Sequence, residues 1–414
     1  MKRITSFLFG TFVALSCLAQ RPDTVSIADI APYVYTFNLE NGKLKGEGAD
    51  ILISEIRESQ FFLLGEYHYD SGISNLTEVL LPILADADYD HFAVEVGPYS
   101  AEKLAELGKE KNIEEALHDF YSDQLALTGR QPIPFFSGKE DAAFFETALD
   151  EGFDIWGLDQ EYLGGFLFLF DELWQSAYQP NDLLSEYEAA RERIKQFYIN
   201  NAEDDENEVY NQLLADERLI KLMDKLAKKS CDGDDRVDEI LRSSEIYRDW
   251  KGDLMENLEG RAALMKEHFR EYYQCTRQLE PKVFIKMGAM HTARGFTGNS
   301  CYELGNMVHE LANMNGTNDL NVTFATRYYL DEETGEIGDN LTYESDWVRN
   351  MTPLLAQGQL DEWVLIDLRP IKKMWVNRER TMTYQLKYLL RNNDYIIIMP
   401  PLPEVTPNYV AVDQ

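Results

Sequence analysis

The sequence predicts an α/β fold: a mostly parallel central sheet of about seven strands, flanked by helices, with an inserted helical subdomain. Short apolar runs bounded by turn residues recur along the chain, and helical patterns lie between most of them. Strands alternating with helices build a parallel sheet covered on both faces. One interval, from about Gly165 to Leu279, is far longer than a crossover helix needs and shifts to charged helix formers.

In chain order, Lys2 and Arg3 precede a mostly apolar stretch, Ile4 to Leu18, that is too short to span a bilayer. Residues 1–19 therefore read as a secretory signal peptide and the protein as exported, periplasmic or secreted. Ala14-Leu15-Ser16-Cys17 faintly resembles a lipobox, which would make Cys17 a lipid anchor. Residues 20–164 form the first part of the α/β domain and open with an N-terminal arm to about residue 50. Strands follow near Phe61–Leu64, Phe92–Val96 and Ile155–Leu158, with helices over Thr77–Ala85, Ala101–Leu107 and Ala142–Ala148. The helical insertion takes residues 165–279, its helices separated by the acidic stretches Asp204–Glu208 and Asp232–Asp235. Residues 280–414 complete the α/β domain with strands near Val283–Lys286, Val322–Ala325, Trp363–Ile366 and Tyr395–Met399. The proline-rich end from Pro400 is expected to be extended.

The 414 residues suffice for a large core, and a hydrophobic fraction of 44% is that of a folded chain. A net charge of −34 argues against nucleic acid and anionic membrane as partners. No segment after the leader is apolar and long enough to be transmembrane. After cleavage Cys231, Cys275 and Cys301 would remain, an odd number matching no zinc knuckle, with a Cys231–Cys275 bridge open. The sequence has no Gly-x-Ser-x-Gly elbow, no phosphate-binding P-loop, no dinucleotide fingerprint and no His-Glu-x-x-His helix.

The chemistry lies at strand ends. Leu64-Gly65-Glu66-Tyr67-His68 and Met287-Gly288-Ala289-Met290-His291 each break an apolar strand at a glycine and place a histidine three residues on. Open α/β sheets bind ligands just beyond the carboxyl ends of their strands, so both histidines are expected at one site. Glu95, inside Ala93-Val94-Glu95-Val96-Gly97, is a charge in an apolar run, which is costly unless paired or ligated. His68, Glu95 and His291 are candidate ligands of a divalent metal. With Glu66 the same residues are candidate catalytic groups, an imidazole acting as base near neutral pH. Tyr67, Asp159, Arg294 and Arg327 are candidate substrate-binding groups around them, and Lys286 lies on the strand feeding His291. His91 falls at a strand start, hence at the opposite edge. His118, His268 and His309 lie on helical faces, where a histidine is ordinarily solvated or satisfied.

These motifs, with Gly157-Leu158-Asp159 and the late Leu365-Ile366-Asp367-Leu368-Arg369, resemble the erythromycin-esterase/ChaN-like superfamily, with its TIKI and TraB relatives. The likeness runs over nearly the whole chain, though each motif is short. It implies an α/β sheet with a helical insertion and a strand-end site. In the esterase branch, Glu66, His68, Glu95 and His291 would surround a lactone and activate water. In the TIKI branch, the paired glycine–histidine motifs belong to metal-dependent proteases. In the ChaN branch, the exported protein binds haem, with Tyr67, Tyr69 and the histidines as ligands or stacking groups. The chain departs from the esterases by one residue fewer before His68, and from TIKI motifs by Ala289 where asparagine is favoured. The leading expectation is an exported hydrolase of an ester, lactone or amide acting on a small-molecule substrate. The alternative is a binder of haem or another planar hydrophobic ligand.

Overall fold

The computed structural model describes residues 23–201, 207–230, 234–276 and 278–410. The leader-like segment with Cys17, and Cys231 of the suggested disulfide, lie outside them.

The strands are β1 (Val34–Leu39), β2 (Leu44–Lys45), β3 (Phe61–Glu66), β4 (Tyr89–Val94), β5 (Asp154–Gly157), β6 (Lys282–Gly288), β7 (Asp319–Thr326), β8 (Tyr328–Leu330), β9 (Ile337–Asp339), β10 (Trp363–Asp367) and β11 (Tyr395–Met399). Nine of them form one sheet in the order β2-β1-β10-β11-β7-β3-β6-β4-β5, and β8 pairs with β9 in a separate hairpin. From β11 across to β5 every neighbouring pair is parallel. At the other side β10, β1 and β2 add as antiparallel neighbours, so the sheet is mixed.

All seven expected strands are present. Besides the separate β8–β9 hairpin, the sheet gains two strands, β1 and β2, which lie in the stretch expected to be an arm. They were hidden because they sit at the sheet's edge: β1 buries only Phe37, and β2 is two residues long. A half-exposed edge strand carries little apolar signal. In contrast β3 is buried at all six positions, as befits an unbroken apolar run at the centre of a sheet.

The strand order places β3, β6 and β4 side by side, with Glu66 in register with Gly288 and Val94 with Lys286. The residues that follow these strands therefore emerge together at one edge. Asp70 caps the helix Ser71–Ala85, its Oδ1 accepting from the amides of Gly72 and Ile73 at 2.9 and 3.2 Å. Pro98 opens the helix Pro98–Leu107 directly after the Glu95 loop, where its missing N–H costs nothing.

Between β5 and β6 runs a series of α-helices from Phe166–Ser176 to Leu254–Cys275. They have no core of their own. Leu169, Ile194, Leu222 and Ile240 join the buried cluster that contains Phe62 and Phe92 of the sheet. Met265 and Phe269, on the last helix, pack against Phe61 and Ile285 on the other face. The extended end from Pro400 is strapped across the same edge of the molecule: Val405 N–H donates to Tyr69 O at 2.9 Å, and Asn408 N–H to Ser137 O at 2.8 Å. Among the described residues no helix is long and apolar enough to cross a membrane.

Candidate active site

Glu66 ends β3 and is buried, and the chain turns immediately so that His68 folds back over it. His68 Nδ1 stands 3.2 Å from Glu66 Oε1. On its other side Glu66 Oε2 meets the buried Lys286 ammonium at 2.5 Å. Burial pushes the Glu66 carboxyl up, but Lys286 and His68 together outweigh it and hold the group below the usual carboxylate value. An ionised Glu66 only accepts, so Nδ1 is the ring nitrogen that donates to it. The ring is held flat by Phe135, stacked on it with centroids 3.8 Å apart and planes 13° from parallel. Phe135 and Tyr69 both take positive φ, 64° and 66°, conformations uncommon outside glycine.

His291 lies in the four-residue helix Ala289–Thr292 that follows β6. It is buried between two carboxylates, with Nδ1 3.0 Å from Glu303 Oε2 and Nε2 3.5 Å from Glu95 Oε1. Burial and Arg261 work to lower its pKa, but Glu95 and Glu303 prevail and raise it above the usual histidine value. Glu303 correspondingly falls: burial raises it, and the pairing with His291 and a 2.8 Å bond from Asn299 Nδ2 more than compensate.

Glu95 joins the two halves. Its Oε2 lies 3.7 Å from His68 Nε2 and accepts from Gly288 N–H at 2.5 Å. Its Oε1 accepts from Arg261 at 2.8 Å. Gly288 is glycine for a steric reason: a Cβ there would stand 3.1 Å from His68 Nε2 and 3.2 Å from Glu95 Oε2. Arg261 is fixed in turn by Asp159, which accepts from Nε at 2.9 Å and from a terminal nitrogen at 2.5 Å.

The structure thus brings Glu66, His68, Glu95 and His291 together, with Tyr67 at the lip of a cavity of about 640 Å³. Asp159 stands behind Arg261 and reaches the site only through it. Arg294 and Arg327 do not line the cavity, contrary to their expected place at its rim. The short helix after β6 turns the chain back, so Arg294 instead ties Asp319 and Asp394, at the starts of β7 and β11, with bonds of 2.8 Å. Arg327 caps the Ala356 and Gly358 carbonyls at 3.1 and 3.2 Å and pairs with Asp339. His91 sits away from the site, stacked on Trp156, as its place at a strand start implied.

Arg261, Glu303 and Phe135 carry no signal that marks them in the sequence. Arg261 is one of two arginines in a charged helix, Glu303 lies in a polar loop, and Phe135 is one of 21 phenylalanines. The expected metal set of His68, Glu95 and His291 converges, but both Glu95 oxygens already accept from Arg261 and Gly288, and a guanidinium is a poor neighbour for a cation. Among the described residues no group of three His, Cys, Asp or Glu is arranged to hold a metal ion. The donors as placed do not fit a metal.

No protein-family model matches the sequence, and neither does any curated protein. Solved structures do match. A mutant of erythromycin esterase EreC in its open conformation superposes with a TM-score of 0.53 at 14% identity, over 90% of this chain and 98% of that one. The chain has the fold of erythromycin esterase. A succinoglycan biosynthesis protein shares the erythromycin-esterase fold with it at a TM-score of 0.57 and 16% identity, over 92% of this chain and 97% of that chain. A Bacillus cereus protein does so at 0.50 and 13%, over 94% and 96%. At such identities the likeness is one of fold, and it agrees with the superfamily resemblance carried by the strand-end motifs.

Proposed function

We propose that this protein is an exported hydrolase of the erythromycin-esterase-like superfamily, cleaving an ester, lactone or amide by metal-independent general acid–base catalysis. One observation carries the reading. Two histidines, each backed by a carboxylate, converge on Glu95 at the floor of a cavity. In this reading His68 Nε2 takes a proton from water, oriented by Glu66 as the carboxylate of a hydrolytic triad orients its histidine. His291, made basic by Glu95 and Glu303, carries a proton and donates to the carbonyl oxygen or leaving group. Arg261 and the His291 cation offset the negative charge that develops on that oxygen. The basic, apolar leader in residues 1–19 supports export.

The test is turnover of p-nitrophenyl esters and chromogenic lactones by the protein and by His68→Ala and His291→Ala. Each variant is expected to lose about 10²–10⁴-fold in rate, the usual worth of a positioned acid or base, with its thermal unfolding still cooperative. Full activity in both variants would sink the assignment.

A further inference from the structure

Three large aromatic side chains stand open to solvent on the wall of the cavity, each on a different helix. Trp250, on the helix Arg236–Gly252, is 57% exposed. Trp347, on Asp346–Leu355, and Tyr384, on Tyr384–Asn392, are 42% and 77% exposed. Behind the last two, Tyr388 and Leu389 are half-buried, and Met351 and Ile396 close the wall. In the sheet, β7 and β11 lie on the side of β3 away from β6 and β4, so this part of the cavity extends sideways from the reactive centre. Exposed aromatics gathered on one cavity from separate elements are apolar surface that a ligand would cover.

Charge is distributed the other way. The charged side chains lining the cavity are Glu66, Glu95 and Arg261, with His68 and His291, all at the reactive end. The cations there are already committed. Lys286 is held by Glu66, Arg261 by Glu95 and Asp159, and His291 by Glu95 and Glu303. A carboxylate or phosphate on the substrate would leave water without finding a free counterion, which is strongly unfavourable.

We infer that Trp250, Trp347 and Tyr384 form an aromatic platform that packs an alkyl or ring body of the substrate, and that the cavity rejects substrates whose body is anionic. The class of bond cleaved rests on the hydrolase reading above, whereas the selection by charge and apolar surface does not.

The experiment follows acid release in a pH-stat from two ester series of rising length, methyl acetate to methyl octanoate and methyl acetate to octyl acetate. Each series ends with a partner carrying a terminal carboxylate, monomethyl octanedioate and 8-acetoxyoctanoate. In at least one series kcat/KM is expected to rise about tenfold or more, well inside the roughly fourfold that each fully buried methylene can supply. In that series the carboxylate partner should fall about tenfold or more below its neutral counterpart, at about 10 mM and about 500 mM salt alike. Trp347→Ala and Tyr384→Ala should each lower the long-to-short ratio about threefold or more. Trp347→Lys, which sets a free cation on the wall, should raise the ratio of the carboxylate ester to its neutral partner about tenfold. A flat length profile in both series, or ratios unmoved in all three folded variants, overturns the platform. A carboxylate penalty that vanishes at high salt would belong to the net charge of −34 and overturns the cavity's part in it. Octan-2-one and 7-oxooctanoate, which have no bond to hydrolyse, are titrated against tryptophan fluorescence. Tighter binding of octan-2-one with no ester turnover would leave the platform standing and remove the hydrolase reading. Turnover indifferent to length and charge would do the reverse.

Discussion

The electrostatics of single residues decide which imidazole does what. Glu66 and Glu303 play equivalent parts, each beside a histidine Nδ1, but only Glu66 has a lysine behind it. Removing Glu303's charge by Glu303→Gln should lower the pKa of His291, which Glu95 and Glu303 had raised against burial. A raised histidine pKa contributes stability below its unfolded value of about 6.5 and loses it as pH rises through the folded value. The variant should therefore lose the high-pH arm of kcat/KM at a lower pH, and lose stability mainly on the acid side. An unchanged profile would show that His291 does not act as a cation. Lys286→Met leaves Glu66 as a buried carboxylate without its ion-pair partner and is expected to cost about 3–5 kcal/mol in chemical denaturation. The double variant Lys286→Met/Glu66→Gln should recover part of that loss. His68, Glu95 and His291 were legible in the sequence because each is a polar residue just past an apolar strand. Arg261 was not, because it arrives from a helix 166 positions along the chain from Glu95 and looks like any solvated arginine until the fold is known.

At the scale of elements, the strand ends supply the reactive groups and the surrounding segments set their angles. The loop after β3 is the clearest case. Asp70 caps one helix from it, Phe135 stacks on its histidine, and the C-terminal strap ties its backbone at Tyr69 and Ser71. Truncation after Pro401 removes these ties without removing a strand of the sheet. The truncated protein should unfold cooperatively, show faster amide exchange over residues 67–73, and turn over substrate more slowly with little change in KM. Unaltered exchange in that loop would show that the strap only decorates the surface. The seven strongly apolar strands could be read from the sequence because burial on both faces leaves an unbroken run. β1 and β2 could not, since an edge strand is half solvated. Helices were expected between β5 and β6, but their merger with the sheet's core depends on tertiary packing that no local pattern encodes.

At the scale of the whole molecule, a net charge of −34 sets a background of self-repulsion. Raising salt from about 10 mM to about 150 mM shortens the Debye length from roughly 30 Å to roughly 8 Å and should raise the melting temperature. A fall would mean that the surface ion pairs outweigh the net repulsion. The fold is shared with erythromycin esterase and with a succinoglycan biosynthesis protein, so fold alone does not choose a reaction. The choice rests on the two carboxylate-backed histidines around Glu95. Haem binding draws on some of the same residues, and a sharp Soret shift on haemin titration, lost in His68→Ala, would move the assignment to ligand binding. The most direct measurement is ester and lactone turnover by the intact protein beside His68→Ala and His291→Ala, with unfolding curves recorded on the same samples. Turnover by the intact protein that collapses in both folded variants is the predicted result. Turnover that persists in both contradicts the strand-end site.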